Sequence, residues 1–128
     1  MATFISSQAQ DSAGNKIPYS PTVKAGNLVF ISGQVGINPQ TAKLVDTSFE
    51  AELRQVMQNL RTRLDENGLE FDDLVSTIIY LKDIDNYGLV NKIYGEYFKE
   101  KYPSRTCIGV NDLPAKASVE ISGIAERR

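Results

Sequence analysis

Two residues of this sequence stand out as able to do chemistry, an arginine and a glutamate in separate strand-like segments near its end. Arg105 lies in Pro103-Ser104-Arg105-Thr106-Cys107. A guanidinium offers a planar fork that grips a carboxylate through two parallel hydrogen bonds, the alternative being an ordinary surface or interface ion pair. Glu120 is a lone acid inside Ser118-Val119-Glu120-Ile121. A carboxylate among apolar neighbours either pairs with a cation, Arg105 included, or works as an acid or base with a shifted pKa. Cys107 is either a small buried hydrophobe or a nucleophile. Asn91 follows Tyr87 by four residues and precedes Tyr94 by three, so its amide falls on an apolar helix stripe. It either caps a buried backbone group there or reaches a ligand. Tyr19 is an aromatic in a turn-rich loop, a modest pointer to function. Ser32 precedes Gly33, where a missing side chain lets a ligand approach the backbone or simply ends a strand.

The composition narrows what these residues can do. There is no histidine, which removes Ser-His and Cys-His pairs, the commonest neutral-pH base and most zinc patterns. With one cysteine, no disulfide forms within the chain and no cysteine cluster awaits a metal. Fourteen basic residues stand against sixteen acidic, a net charge of −2. The loose pairs Arg61/Arg63, Lys99/Lys101 and Arg127/Arg128 read as solvated charge, not as the basic stripe that nucleic-acid binding requires. A length of 128 residues fits one domain, 1–128, with a real core. An apolar fraction of 41% and a charged fraction of 23% are those of a globular protein. No apolar run reaches the roughly eighteen residues of a membrane span. Residues 1–12 have neither a signal-peptide nor a transit-peptide layout, so a cytosolic location is expected.

The elements that must position these residues follow from periodicity and turn chemistry. Residues 11–20 (DSAGNKIPYS) form a loop. A hairpin joins 22–24 to the apolar strand 28–32 (LVFIS) through Ala25-Gly26-Asn27. Gly33, Gly36 and Asn38-Pro39 break that strand, and Leu44-Val45 forms a short edge piece. Thr47-Ser48-Phe49-Glu50 has capping-box spacing, with Thr47 as N-cap. Phe49, Leu53, Val56, Met57, Leu60 and Leu64 then mark one face of a helix that Asn67-Gly68 closes. Residues 75–81 (VSTIIYL) are a strand. Asp83 or Asp85 caps a second helix that reaches about Lys101, with Tyr87, Val90, Tyr94, Tyr97 and Phe98 as its stripe. Residues 105–110 and 118–125 make two more strands.

The order ββ–α–β–α–ββ predicts an α+β domain with both helices on one face of a mixed sheet. Alternation along 105–110 assigns Thr106, Ile108 and Val110 to the helix-covered core and Arg105, Cys107 and Gly109 to the bare face. Residues 28–32 and 117–125 carry apolar side chains at both parities. Neither face is therefore fully solvated, and the sheets of an oligomer face inward.

Three segments carry a resemblance to a known family: Pro18-Tyr19-Ser20-Pro21, then 29–34 (VFISGQ), then 102–121 (YPSRTCIGVNDLPAKASVEI). Val90-Asn91-Lys92-Ile93-Tyr94 with Phe98 fits as well. The chain resembles the Rid family, the reactive intermediate deaminases, also known as YjgF-like or L-PSP endoribonuclease-like proteins, over almost its whole length. The resemblance implies a chorismate-mutase-like fold in a homotrimer with active sites between subunits. It implies hydrolysis of 2-iminopropanoate and 2-iminobutanoate to 2-keto acids and ammonia, with no metal or organic cofactor. Arg105 would bind the substrate carboxylate and Glu120 would hold or activate the attacking water. The backbone at Cys107 and Gly33 would contact the imine, while Tyr19, Ser32 and Asn91 line the cleft. The family commonly has a glycine before the Pro-Tyr pair, where this chain has Ile17 in a longer loop. Two alternatives stand beside the deaminase: the ribonuclease and translation-inhibitor role the family's other label names, and a non-catalytic protein that binds small carboxylates or a partner. Glu120 favours an enzyme, since holding a carboxylate needs no second carboxylate nearby.

Overall fold

The steps of three and four from Phe49 to Leu64 become a 17-residue helix, α1 (Phe49–Asp65), in the computed structural model. The structure describes residues 13–128 and the backbone of Ala2–Ile5. Leu53, Val56, Met57 and Leu60 are fully buried. The N-cap is Ser48, one residue later than expected: its extended backbone lets the hydroxyl accept the Ala51 N–H at 3.0 Å. Glu50, freed from a capping box, pairs with Arg54 one turn on. Gly68, in the left-handed region at φ 69°, closes the helix, and the Leu69 N–H returns to the Leu64 carbonyl.

The second helix, α2 (Tyr87–Gly95), follows a short turn capped by Asp83. It ends well before the expected Lys101, and the cause is a side chain distant in sequence. The Asp72 carboxylate accepts the Lys99 and Glu100 N–H groups at 2.9 and 3.0 Å, donors a continuing helix would have used internally. Tyr97 and Phe98 leave the helix yet stay in an aromatic cluster with Phe71, Tyr94 and Tyr102.

The strands are β1 (Ala2–Ile5), β2 (Thr22–Ala25), β3 (Leu28–Val35), β4 (Ile37–Asn38), β5 (Lys43–Leu44), β6 (Leu74–Leu81), β7 (Ser104–Gly109) and β8 (Val119–Glu126). The main sheet runs β1-β2-β3-β8-β6-β7, antiparallel except for β6 and β7, while β4 and β5 form a separate ribbon. Strand β1 was not anticipated. Asp11 and Ser12 of the expected loop lie outside the described residues, and 13–20 follow as turns and bends. Gly33 does not break β3; the strand continues to Val35 through a register shift between Ile31 and Gln34.

Both helices cover one face, as expected of this α+β arrangement. Val29 and Ile31, Ile79 and Leu81, and Val119 and Ile121 turn toward them into one core. The alternate residues occupy the other face, where Phe30 is 40% and Ile108 43% exposed. An apolar open face is thus present, but the assignment of β7 to the two faces is reversed. Thr77 is opposite Arg105 and Ile79 opposite Cys107, and paired residues share a face. Arg105 and Cys107 therefore lie on the helix side, Thr106 and Ile108 on the open side. Alternation within a six-residue edge strand fixes only which residues go together. Pairing with β6 decides which way they point.

A buried carboxylate on α1 locks helix to sheet. Glu52, 4% exposed, accepts the Ser118 N–H at 2.7 Å, just before β8 begins. Its Cγ and carbonyl oxygen lie 2.8 Å from where a Cβ on Gly36 would stand, so that position needs glycine. Two turns further along, Asn59 donates to the carbonyls of Val35 and Ile37 at 2.8 and 3.0 Å. Leaving a buried N–H unsatisfied costs about 1–3 kcal/mol. Glu52→Ala should therefore lower stability by about 2 kcal/mol in urea at fixed protein concentration, whereas Glu52→Gln, which keeps an acceptor oxygen, should lose less than about 1 kcal/mol. Equal midpoints for the alanine variant and the parent would show that the contact contributes nothing.

Candidate active site

Arg105 enters beneath α2 from the second position of β7 and is held by neutral groups. Its Nη2 donates to Asn91 Oδ1 at 2.7 Å and to Tyr87 Oη at 3.1 Å. The guanidinium carbon stands 5.3 Å from the Tyr87 ring centre and 5.4 Å from that of Tyr94. Tyr94 is fixed in turn by a 2.8 Å hydrogen bond with Thr77. Among the described residues no carboxylate comes within ion-pair distance of Arg105. A cation oriented by amide, phenol and π faces keeps its full charge and presents the rest of its fork to an anion. The cavity beside it, about 260 Å³, is lined by Asn91, Tyr94, Gly95, Tyr102, Pro103 and Arg105.

Cys107, two residues along the same face, is partly buried against the core. Burial pushes its thiol pKa up, and the nearby Arg105 charge only partly opposes this. Such a thiol is a poor nucleophile.

Glu120 belongs to a second cluster. On β8 it is opposite Tyr80 of β6 and Val35 of β3, which puts it on the open face. Its carboxylate lies over Gly33, where a Cβ would come within 2.8 Å of the Glu120 Cδ and closer still to Oε2. The missing side chain leaves that space to the carboxylate, which a Cβ there would displace. Partial burial pushes the Glu120 pKa up, and no cation pairs with it among the described residues. The expected alternative of an Arg105–Glu120 salt bridge is absent, because the two lie on opposite faces of one sheet. Ser32, at the register shift, donates its hydroxyl to the Ser20 carbonyl at 2.6 Å and ties the preceding loop to β3. Tyr19, 48% exposed, lines the same groove as Ser32, Gly33 and Glu120, an open space of about 800 Å³.

The seven residues singled out from sequence thus fall into two groups, Tyr19, Ser32, Gly33 and Glu120 in one, Asn91, Arg105 and Cys107 in the other. Sequence reasoning missed Tyr87 and misplaced it in the core stripe; it is 44% exposed and holds Arg105. The signal was available, since Tyr87, Asn91 and Tyr94 at steps of four and three put three polar tips on one helix face. Among the described residues no group of three or more cysteine and carboxylate side chains converges to hold a metal.

The sequence model of the endoribonuclease L-PSP family matches residues 10–127. A RutC family protein of Pyrococcus horikoshii is 38% identical over 108 residues, 84% of this chain and 86% of its own. A 2-iminobutanoate/2-iminopropanoate deaminase of Dermatophagoides farinae is 33% identical over 107 residues, 84% of each chain. The crystal structure of E. coli TdcF with bound serine is 29% identical and aligns with a TM-score of 0.86 over 98% of this chain and 99% of that one.

The raised pKa of Glu120 makes a prediction for stability. The folded state holds this proton more tightly than the unfolded one, so its contribution is greatest below the ordinary carboxylate range and is lost as pH rises through the raised value. Glu120→Gln cannot ionise. At pH 7 it should melt up to about 3 °C above the parent, and the difference should close near pH 3.5. A parent that melts higher than the variant at pH 7 would mean that a partner stabilises the charged form.

Proposed function

The chain belongs to the endoribonuclease L-PSP family, the Rid family, and from that premise we propose that it hydrolyses 2-imino acids to 2-keto acids and ammonia, at sites shared between subunits of a homotrimer. One observation carries the proposal. An unneutralised guanidinium and an unpaired, desolvated carboxylate lie on opposite faces of the same sheet, each incomplete alone. Their chemistry complements the two ends of a protonated imino acid, the negative carboxylate and the positive iminium. Arg105 sits on the edge strand, so a neighbouring subunit whose open face abuts that edge brings its own Glu120 groove against it. The apolar residues of that face, Phe30, Ile78, Ile108 and Ile124, suit such burial. The deaminase of Dermatophagoides farinae and the serine held by TdcF support a small amino-acid-like ligand.

In this reading the free side of the Arg105 fork takes the carboxylate, and the C2 carbon rests beside Gly33 and Glu120. Orientation is most of what the reaction needs, because an iminium carbon is already electrophilic. Water attacks C2 as the Glu120 carboxylate takes one of its protons, giving a neutral carbinolamine. Glu120 returns that proton to the amino nitrogen, the C–N bond breaks, and the hydroxyl oxygen's lone pair forms the new carbonyl. The departing ammonia takes the hydroxyl proton, so iminium and water become 2-keto acid and ammonium. A half-neutralised base loses activity as pH falls, and the raised pKa of Glu120 sets that loss above the usual carboxylate range.

Arg105→Lys keeps the charge without the fork. It should lower kcat/KM at least about tenfold, mainly through KM. Glu120→Gln should lower kcat while a 2-keto acid such as pyruvate still binds. The shared site has its own test. Arg105→Ala and Glu120→Gln subunits, each inactive alone, are unfolded together in equal amounts and refolded. A site holding both native halves forms with a chance of one half times one half, so about a quarter of parent activity should return. No recovery would defeat the shared site. Undiminished imine hydrolysis by both single variants would defeat the assigned roles, and RNA cleavage without keto-acid release would favour the ribonuclease.

A further inference from the structure

The Arg105 guanidinium is bonded at one corner only. Its Nη2 donates to Asn91 and Tyr87, and among the described residues Nε and Nη1 have no hydrogen-bond partner. A bound carboxylate therefore meets Nε or Nη1, and the tilt of the guanidinium plane fixes where that carboxylate lies. Two bonds at a single nitrogen leave the plane free to tilt about it. The ring faces of Tyr87 and Tyr94, with centres 5.3 and 5.4 Å from the guanidinium carbon, limit that tilt. The two rings are not equivalent. Tyr87 is exposed, whereas Tyr94 is buried and packed on Phe98 with ring centres 4.8 Å apart.

What anchors the buried ring lies beneath it in the sheet. The hydroxyls of Thr77 and Tyr94 share a 2.8 Å hydrogen bond, and both side chains are buried. Among the described residues neither hydroxyl has another partner. Thr77 of β6 is directly opposite Arg105 of β7, so threonine and arginine stand side by side while Tyr94 reaches both from α2. Burial pushes the Tyr94 pKa up, so the phenol stays neutral and Arg105 faces a ring, not a phenolate. A valine–phenylalanine pair of the same shape would fill this space about as stably, so packing alone does not account for the two hydroxyls. Their bond adds direction, since it holds the ring in one place against the guanidinium.

Resting on Arg105 as the clamp for the substrate carboxylate, we propose that Thr77 and Tyr94 are positioning residues that set the affinity for that carboxylate. Thr77 fixes the Tyr94 ring, and the ring fixes the plane of Arg105. Thr77→Val leaves a buried phenol without a partner, so the ring must move to satisfy it. Adding Tyr94→Phe removes the phenol, and the ring can return.

Pyruvate binding, measured by titration calorimetry well below every melting temperature, tests this order of events. Thr77→Val should raise the pyruvate Kd at least about fivefold, and Thr77→Ser, which keeps the hydroxyl, should stay within about twofold of the parent. In Thr77→Val/Tyr94→Phe the Kd should return to within about twofold of the parent, so a second substitution repairs the first. KM for the alanine-derived imine should follow Kd, with kcat changed less than about twofold. A Thr77→Val variant that melts lower yet binds pyruvate like the parent overturns the proposal, because its threonine is then structural only. A double variant that binds as poorly as Thr77→Val overturns it as well, since the phenol itself would then meet the ligand. If Thr77→Val does not fold, the ring is tested alone. Tyr94→Leu should then bind pyruvate about fivefold more weakly than Tyr94→Phe, and equal values overturn the proposal. A parent that binds no pyruvate defeats the Arg105 clamp and this inference with it. A parent that binds pyruvate but hydrolyses no imine defeats the deaminase reading alone, and the Kd values still decide for or against the positioning pair.

Discussion

The end of β3 is gripped by two glutamates that fill space where side chains are missing. Glu120 lies over Gly33 on the open face, and Glu52 reaches from α1 over Gly36. The same Glu52 accepts the Ser118 N–H, so it fixes the strand from which Glu120 projects two residues later. Helix, β3 and β8 are thereby set relative to one another within a few residues. The Ser32–Gly33 register shift, the tie from Ser32 to Ser20 and the wall of the groove all hang from this junction. A side chain at Gly33 would displace the Glu120 carboxylate, and one at Gly36 would collide with the Glu52 Cγ and backbone carbonyl.

The placement of charge follows a similar economy. Arg105 and Glu120 face opposite ways, and β6 lies between their strands, with Arg105 beside Thr77 and Glu120 beside Tyr80. Arg105 is satisfied by Asn91, Tyr87 and two rings, none of which carries a compensating negative charge. Glu120 is desolvated over a glycine, which makes it a better proton acceptor than an exposed carboxylate. Both groups are costly to hold in this state. That cost is recovered when a ligand with one negative and one positive end bridges two subunits, which is the chemistry proposed for the site.

Much of this was legible in the sequence, and the failures share one cause. The α1 stripe, the 75–81 strand and the apolar open face follow from local periodicity, which a single chain segment displays in full. Thr47 and Ser48 are both good capping residues, and only the backbone conformation decides between them. The end of α2 is set by Asp72, over twenty residues earlier, and the direction of Arg105 by the register of β7 against β6. Tyr87 read as core because an aromatic at helical spacing usually is. In the structure it stays exposed and accepts a hydrogen bond from Arg105. Local pattern grouped Arg105 with Cys107, and the structure keeps them on one face. Long-range pairing alone could say which face they share.

That pairing also ties the proposed assembly to the proposed chemistry. On β8 the open-face residues are Glu120, Ser122 and Ile124, so one strand offers both the carboxylate and part of the apolar surface. A one-residue slip of β8 would bury Glu120 beneath the helices and turn Ile121 outward. Such a slip is resisted by the fully buried Val119 and Ile121, and it would take the Glu120 carboxylate from its place over Gly33. The register that keeps the core dry is therefore the register that aims Glu120 at a neighbour's Arg105 in the proposed trimer.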